Sequence, residues 1–225
     1  MIILKTPAEI EVMAEAGRRL AEILAVLESE VKAGVKTLAL DERSKELIKK
    51  AGCTPAFLGY SPGGAHRPFP SAICVSVNDV VVHGVPSEYV IQEGDLVKLD
   101  FGLVWNGFYA DAAVTVAVGN VDPRARELVH TTEAALEAAV REARPGNALG
   151  DIGWAIEGAV RAKKFSVADT LTGHGIGRAL HEDPWVMNTG RPGKGEKLEA
   201  GMVLAIEPMV NMGGSRVRQG RDDSY

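Results

Sequence analysis

Residues 99–112 read LDFGLVWNGFYADA, and this stretch decides the fold. Asn106-Gly107 is the residue pair of a two-residue hairpin turn, and the runs on either side are apolar enough for two antiparallel strands. Such a turn sets Trp105 opposite Phe108 and Gly102 opposite Asp111. Strand residues two apart share a face, so Asp100 and Asp111 point to the same side as diagonal neighbours, about 7 Å apart at the backbone. Two carboxylates so placed on an apolar sheet raise each other's pKa and disfavour the ionised state. A pair of divalent cations removes the conflict, because dinuclear sites hold their metals ~3.5–4 Å apart. A hairpin face turned to solvent is the alternative, and the hairpin alone does not choose between them.

The chain upstream supplies layers for that hairpin. Thr6-Pro7-Ala8-Glu9 has the layout of a capping box with proline at the first helical position. Ile10, Met13, Leu20, Leu24 and Leu27 then recur at helical period. Gly34 breaks the chain, and a second helix after Thr37 carries Leu40, Leu47 and Ile48 up to Gly52. Residues 52–72, rich in glycine and proline, read as a long loop. In AICVSVNDVVVHGVP (72–86), Asn78-Asp79 reads as a turn between two short strands.

Downstream, the order starts again. Asp122-Pro123 opens a helix whose buried stripe is Leu128, Leu136, Ala139 and Val140, and Pro145-Gly146 ends it. Asn147 caps the next helix, with Asp151 four residues on, as Asp41 lies four after Thr37. Strand-like DTLTGHGIG (169–177) and MVLAIEPMV (202–210) follow. The expectation is one α/β (α+β) domain over 1–225, made of two pseudo-repeats at about 6–118 and 122–225. Glu207 then takes the place of Asp100. No returning strand carries a counterpart of Asp111, since GGSRVRQGRDDSY (213–225) is polar and turn-like, so the second repeat reads as incomplete.

Composition sets the bounds. The 225 residues are 46% hydrophobic and 24% charged, the balance of an ordinary globular protein able to bury a sizeable core. A net charge of −5 gives no reason to expect nucleic acid or an anionic membrane, and Lys45, Lys49 and Lys50 read as a solvated helix face. Cys53 and Cys74 are too few for a disulfide scaffold and read as free thiols in a reducing compartment. No apolar run approaches the ~20 residues of a membrane helix. The first residues, MIILKTPAEIEV, turn acidic too early for a secretory signal. The cytoplasm is the expected location.

Two residues of the second half join the aspartates as candidate ligands. His174 lies between glycines in Thr172-Gly173-His174-Gly175, where backbone and ligand can come close, although a lone histidine is more often structural. Glu207 follows the apolar run Val203-Leu204-Ala205-Ile206 and precedes Pro208, so it needs a partner other than solvent. Three carboxylates and one imidazole favour Mn, Co, Fe or Zn over a thiolate zinc site. His83 and His181 have no ligand spacing and suit supporting or substrate contacts, whereas His66 and His130 are assigned no role. Asp100-Phe101-Gly102 matches a kinase triplet without the rest of the kinase set, GHGIG lacks dinucleotide-fingerprint spacing, and no GxSxG elbow is present.

SVNDVVVHGVP, KLDFG with Asp111 after it, TGHGIGRALHEDP and GMVLAIEPMV together resemble the signature blocks of type I methionine aminopeptidases. The resemblance spans nearly the whole chain, from the first helix to about Met212. It implies a pita-bread fold, two pseudo-symmetric halves of mainly antiparallel sheet with helices on one face, around two divalent ions. By position, Asp100, Asp111, His174 and Glu207 match metal ligands, with Asp111 bridging. Glu207 then also takes the proton of the attacking water. His83 matches a substrate contact near the scissile bond, and His181 matches a partner of its carbonyl. Cys74, Phe57, Tyr60 and Leu180 fall near the methionine pocket, although Leu180 replaces a common aromatic and the 61–70 loop looks long. The family continues through two further strands, the last with a bridging glutamate. Their absence from these residues implies weak binding of at least one ion and low activity. The implied partner is a peptide or nascent chain beginning with methionine, with the ribosome surface as a further partner and a monomeric state. The alternatives are a prolidase-like dipeptidase, which the VNDVVVHGVP block disfavours, and a non-catalytic pita-bread module that binds a protein or the ribosome.

Overall fold

In the computed structural model, which describes residues 1–61 and 67–225, two helices come first, α1 (Pro7–Glu30) and α2 (Thr37–Lys50). Four strands follow: β1 (Thr54–Pro55), β2 (Ile73–Val77), β3 (Leu96–Trp105) and β4 (Phe108–Ala117). After them run α3 (Pro123–Glu142), α4 (Leu149–Ala162), β5 (Ser166–Val167), β6 (Thr172–Gly175), β7 (Glu182–Met187), β8 (Leu204–Ala205) and β9 (Val210–Asn211). The chain divides into two compact units, one of Glu11–Asp122 with Arg218–Tyr225, the other of Met1–Ile10 with Pro123–Val217. His66 and part of the 61–70 loop lie outside the described residues. Among the described residues, no helix is long and apolar enough to cross a membrane.

In the 11–122 unit, β3 is the central strand. It pairs antiparallel with β4 along its whole length, and with β2 and β1 along successive stretches of its other edge. The register is the one the turn dictates, with Trp105 opposite Phe108 and Gly102 opposite Asp111. Asn106 and Gly107 both have positive φ, 48° and 79°, which is what a mirror-image hairpin turn requires. Alternation along β3 then sorts the side chains. Val97, Leu99, Phe101 and Leu103 are buried in one cluster with Leu20, Leu24 and Leu27 of α1 and Leu40 and Ile48 of α2. Asp100 and Gly102 therefore belong to the face turned away from the helices.

Local expectations met mixed outcomes. The capping box forms: Glu9 accepts from Thr6 N–H at 2.8 Å, and Glu9 N–H donates to Thr6 Oγ1 at 3.3 Å. Thr37 is not a cap but the first residue of α2, and its hydroxyl both donates to Ser87 O and accepts from Ser87 N–H. No second strand follows Asn78-Asp79. His83 takes a positive φ of 59°, and Gly84 N–H donates to the Ser76 hydroxyl, so the returning chain builds no ladder. On the first stripe, Ile10 is exposed.

Asp95 holds the entry to β3. Its carboxylate accepts from Gln92 N–H, Tyr89 Oη and Asn78 Nδ2, all within 2.9 Å. Burial pushes this carboxyl up, but those donors outweigh it, and its pKa lies below the usual carboxylate value. Asp95→Ala should cost about 2–3 kcal/mol in urea unfolding at neutral pH. The depressed folded pKa makes this contribution complete above the unfolded value of ~3.9 and lost as pH falls through the folded one. The gap between variant and parent should therefore narrow below about pH 4.

In the 123–217 unit, β6 lies between β7 and β8 in an antiparallel sheet, and β5 pairs with β9. Ala135 and Ala139 of α3 and Ile152, Ile156 and Val160 of α4 pack with Val186 of β7. Leu136 and Val140 are exposed instead, because the small residues Ala135 and Ala139 let α3 sit close on its neighbours. The cap of α4 is one residue later than expected. Ala148 holds the N-cap position, its N–H donates to Asp151 at 2.7 Å, and Asn147 reaches back to Glu142. The strand expected over 202–210 breaks into β8 and β9, with Glu207 between them. Pro208 has no N–H for a ladder, and the Glu207 carbonyl accepts from Asn188 Nδ2 at 2.7 Å instead.

Candidate metal centre

In the 11–122 unit, Asp111 lies diagonal to Asp100 on the helix-free face, as the turn predicts. Cys74 on β2 stands directly opposite Asp100 and is buried. Burial first, then the charges of Asp100 and Asp111, push its thiol well above the ordinary range, so it is a neutral wall beside the carboxylates. Gly102 is the position where this wall closes. A Cβ there would lie 2.8 Å from Phe57 and 3.0 Å from Ala56, so only glycine lets Phe57 settle against the strand beside Asp111. Tyr60 is half-buried, and burial together with neighbouring Tyr109 raises its phenol. Tyr109, two residues before Asp111, shares its face and had no signal of its own in the sequence. Cys74 thus lies beside both aspartates, Phe57 lies against Gly102 opposite Asp111, and Tyr60 neighbours Tyr109. His83 stands on the loop after β2, exposed, with its ring edge-on to Tyr225 at 5.8 Å.

In the 123–217 unit, His174 is buried on β6. Its Nδ1 lies 2.8 Å from Gly175 O, a contact in which that nitrogen is the donor, and in the neutral ring this leaves the lone pair on Nε2. Nε2 lies 3.2 Å from Glu207 Oε1. That oxygen is buried and accepts no hydrogen bond among the described residues. With the ring neutral, two acceptors face each other, and a cation between them satisfies both. A separation of 3.2 Å is what two ligand atoms show when each is about 2.1 Å from one cation at an angle of roughly 100°. The donor set thus fits a divalent metal. The His181 ring stands edge-on to that of His174, 4.3 Å between centroids, and Leu180 before it is buried. Trp185, opposite His174 on β7, lies beside His181 at 6.3 Å.

Sequence reasoning missed Asn188, whose side chain holds the Glu207 carbonyl, and Trp185, because neither sits in a motif with a chemical reason. It also missed Lys5, paired with Glu182 at 2.5 Å. Within either unit, no three His, Cys, Asp or Glu side chains gather into a cation-holding group among the described residues. Each unit carries two of the four expected ligands.

The sequence profile of metallopeptidase family M24 matches residues 11–221. The chain is 47% identical to a methionine aminopeptidase of Clostridium perfringens over 218 residues, 97% of this chain and 85% of that protein. The crystal structure of a methionine aminopeptidase from Thermotoga maritima superposes with a TM-score of 0.94 at 44% identity, covering 100% of this chain and 88% of that one. An Xaa-Pro dipeptidase from Bacillus anthracis is more distant, with a TM-score of 0.76 at 26% identity over 91% of this chain and 54% of that one. The fold is the pita-bread fold, as the signature blocks implied. From the histidine–glutamate pair, the carboxylate hairpin and these likenesses together, the chain belongs to metallopeptidase family M24, among its methionine aminopeptidases.

Proposed function

We propose that the chain removes the N-terminal methionine from newly made proteins by hydrolysing their first peptide bond. The observation that carries the chemistry is the 3.2 Å approach of His174 Nε2 to Glu207 Oε1, a buried oxygen that accepts no hydrogen bond among the described residues. We assign Asp100, Asp111, His174 and Glu207 as ligands of two divalent ions, Co, Mn, Fe or Zn. Bound there, the ions would acidify a water and polarise the scissile carbonyl. The chain's own residues do the remainder. Glu207 accepts the proton of the attacking water. His181 donates toward the carbonyl oxygen, where negative charge develops. His83 orients the substrate near the scissile bond. Phe57, Tyr60, Cys74 and Leu180 hold the methionine side chain and exclude water, and the neutral Cys74 thiol adds no charge to that apolar wall. Such a pocket separates close hydrocarbon analogues by only ~1–3 kcal/mol, so a small second residue in the substrate contributes to selection.

The proposed setting is the cytoplasm, with the protein acting as a monomer on nascent chains at the ribosome surface and binding no other nucleic acid and no membrane. Residues 1–225 act as one catalytic domain of two pseudo-repeats. The net charge of −5 and two unpaired cysteines support this setting. The test is release of methionine from Met-Ala-Ser beside cleavage of an X-Pro dipeptide. Chelator should abolish methionine release and added Co or Mn should restore it, with the X-Pro dipeptide left intact. Release that survives exhaustive chelation would refute the metal assignment. Preference for X-Pro would identify a prolidase-like enzyme, and no cleavage of either peptide together with no Mn binding in calorimetric titration would identify a binding module.

A further inference from the structure

The buried pair Lys5–Glu182 lies outside the ligand set and outside the substrate pocket. The two side chains are 4% and 8% exposed, and Lys5 Nζ lies 2.5 Å from Glu182 Oε2. A buried ion pair contributes little net stability, because desolvating both charges offsets their attraction. What this pair does is geometric. The other Glu182 oxygen, Oε1, accepts from Arg178 N–H at 2.7 Å and from Ala179 N–H at 3.1 Å. Glu182 thereby closes the turn that carries Leu180 and His181, immediately before β7. Gly177 leaves the room for it. A Cβ there would lie 2.4 Å from Lys5 Cε and 2.8 Å from Glu182 Oε1.

The N-terminal segment is itself anchored. Lys5 N–H donates to Gly201 O at 2.8 Å, Lys5 Nζ also donates to Ile3 O at 3.0 Å, and Glu9 accepts from Arg178 Nη2 at 3.0 Å. The turn above this platform brings the His181 ring edge-on to His174. Every contact in the chain of support, from Gly201 through Lys5 and Glu182 to the turn, is made within the 123–217 unit and its N-terminal residues.

We propose that Lys5 is a positioning residue: through Glu182 it holds the turn that presents His181 to the substrate carbonyl. The proposal rests on the peptidase reading of the site. Its test is a double-mutant cycle on the full chain with saturating Mn, in which Lys5→Met is made in the parent and in His181→Ala. In the parent, Lys5→Met should lower kcat on Met-Ala-Ser about 10- to 100-fold with KM within about twofold, as expected for a misplaced reacting group. In the His181→Ala background, the same change should cost less than about twofold. Equal losses in both backgrounds would overturn the proposal. Should Lys5→Met not fold, Lys5→Gln, which keeps a hydrogen-bond donor, runs the same cycle.

A second readout needs no activity. The ring resonances of His181 should shift in the Lys5 variant, while those of His130, exposed on α3, stay in place. An unmoved His181 signal would also overturn the proposal. If the parent releases no methionine, the peptidase reading fails by itself, and the resonances still report whether Lys5 sets the turn.

Discussion

Glu207→Gln is expected to lower methionine release from Met-Ala-Ser about 10³-fold, within the range for loss of a group that moves a proton in the transition state. The substitution keeps the shape of the side chain and removes its charge. Its amide can donate to His174 Nε2, the very contact that now sets acceptor against acceptor at 3.2 Å. The cation's place is then taken by an ordinary hydrogen bond. Two results should therefore appear together: calorimetric titration should show Mn affinity much reduced, and the variant in chelator should be more stable than the parent by about 1 kcal/mol. A variant that keeps its Mn affinity and rate would show that Glu207 neither holds metal nor moves a proton.

Phe101→Ala should have the largest effect on folding. Phe101 is fully buried, paired with Ile73 on one side and Ala112 on the other, and packed into the cluster under α1 and α2. Removing the ring should cost about 4 kcal/mol, the middle of the range for such truncations. That is a large share of the roughly 5–15 kcal/mol that keeps a domain folded. Urea unfolding should show the midpoint fall accordingly. Phe101 faces the helices and Asp100 faces away, so activity below the unfolding transition should follow the folded fraction. A drop in kcat in fully folded protein would mean that the two faces of β3 are less independent than their alternation implies.

What was legible in the sequence was local or periodic. Asp100 and Asp111 could be placed because one turn fixes the register of ten residue pairs, and strand alternation does the rest. The capping box of α1 was legible for the same reason, its partners lying three residues apart. The sequence marks Glu207 as a residue in need of a partner, but its apolar run reads as one strand where the chain forms β8 and β9 with Glu207 between them. An apolar run looks the same whether its carbonyls join a ladder or are taken by a distant side chain such as Asn188. Leu136 and Val140 misled because α3 has more apolar residues than its neighbours can cover, and the alanines won the buried side. Lys5 and Glu182 are 177 residues apart. No spacing rule connects them, and only the folded chain shows that they share one buried place.

The Asn106-Gly107 turn has one more consequence. An asparagine before glycine is the sequence at which proteins age, because the glycine nitrogen can attack the asparagine side chain, expel ammonia and leave an isoaspartate. Here both residues are exposed at the tip of the hairpin. Isoaspartate inserts an extra backbone carbon at the one point that aligns β3 with β4. Chemical wear at this tip would pull the two strands of that alignment out of step, so the age of the molecule would be written into the register that sets Asp111 diagonal to Asp100.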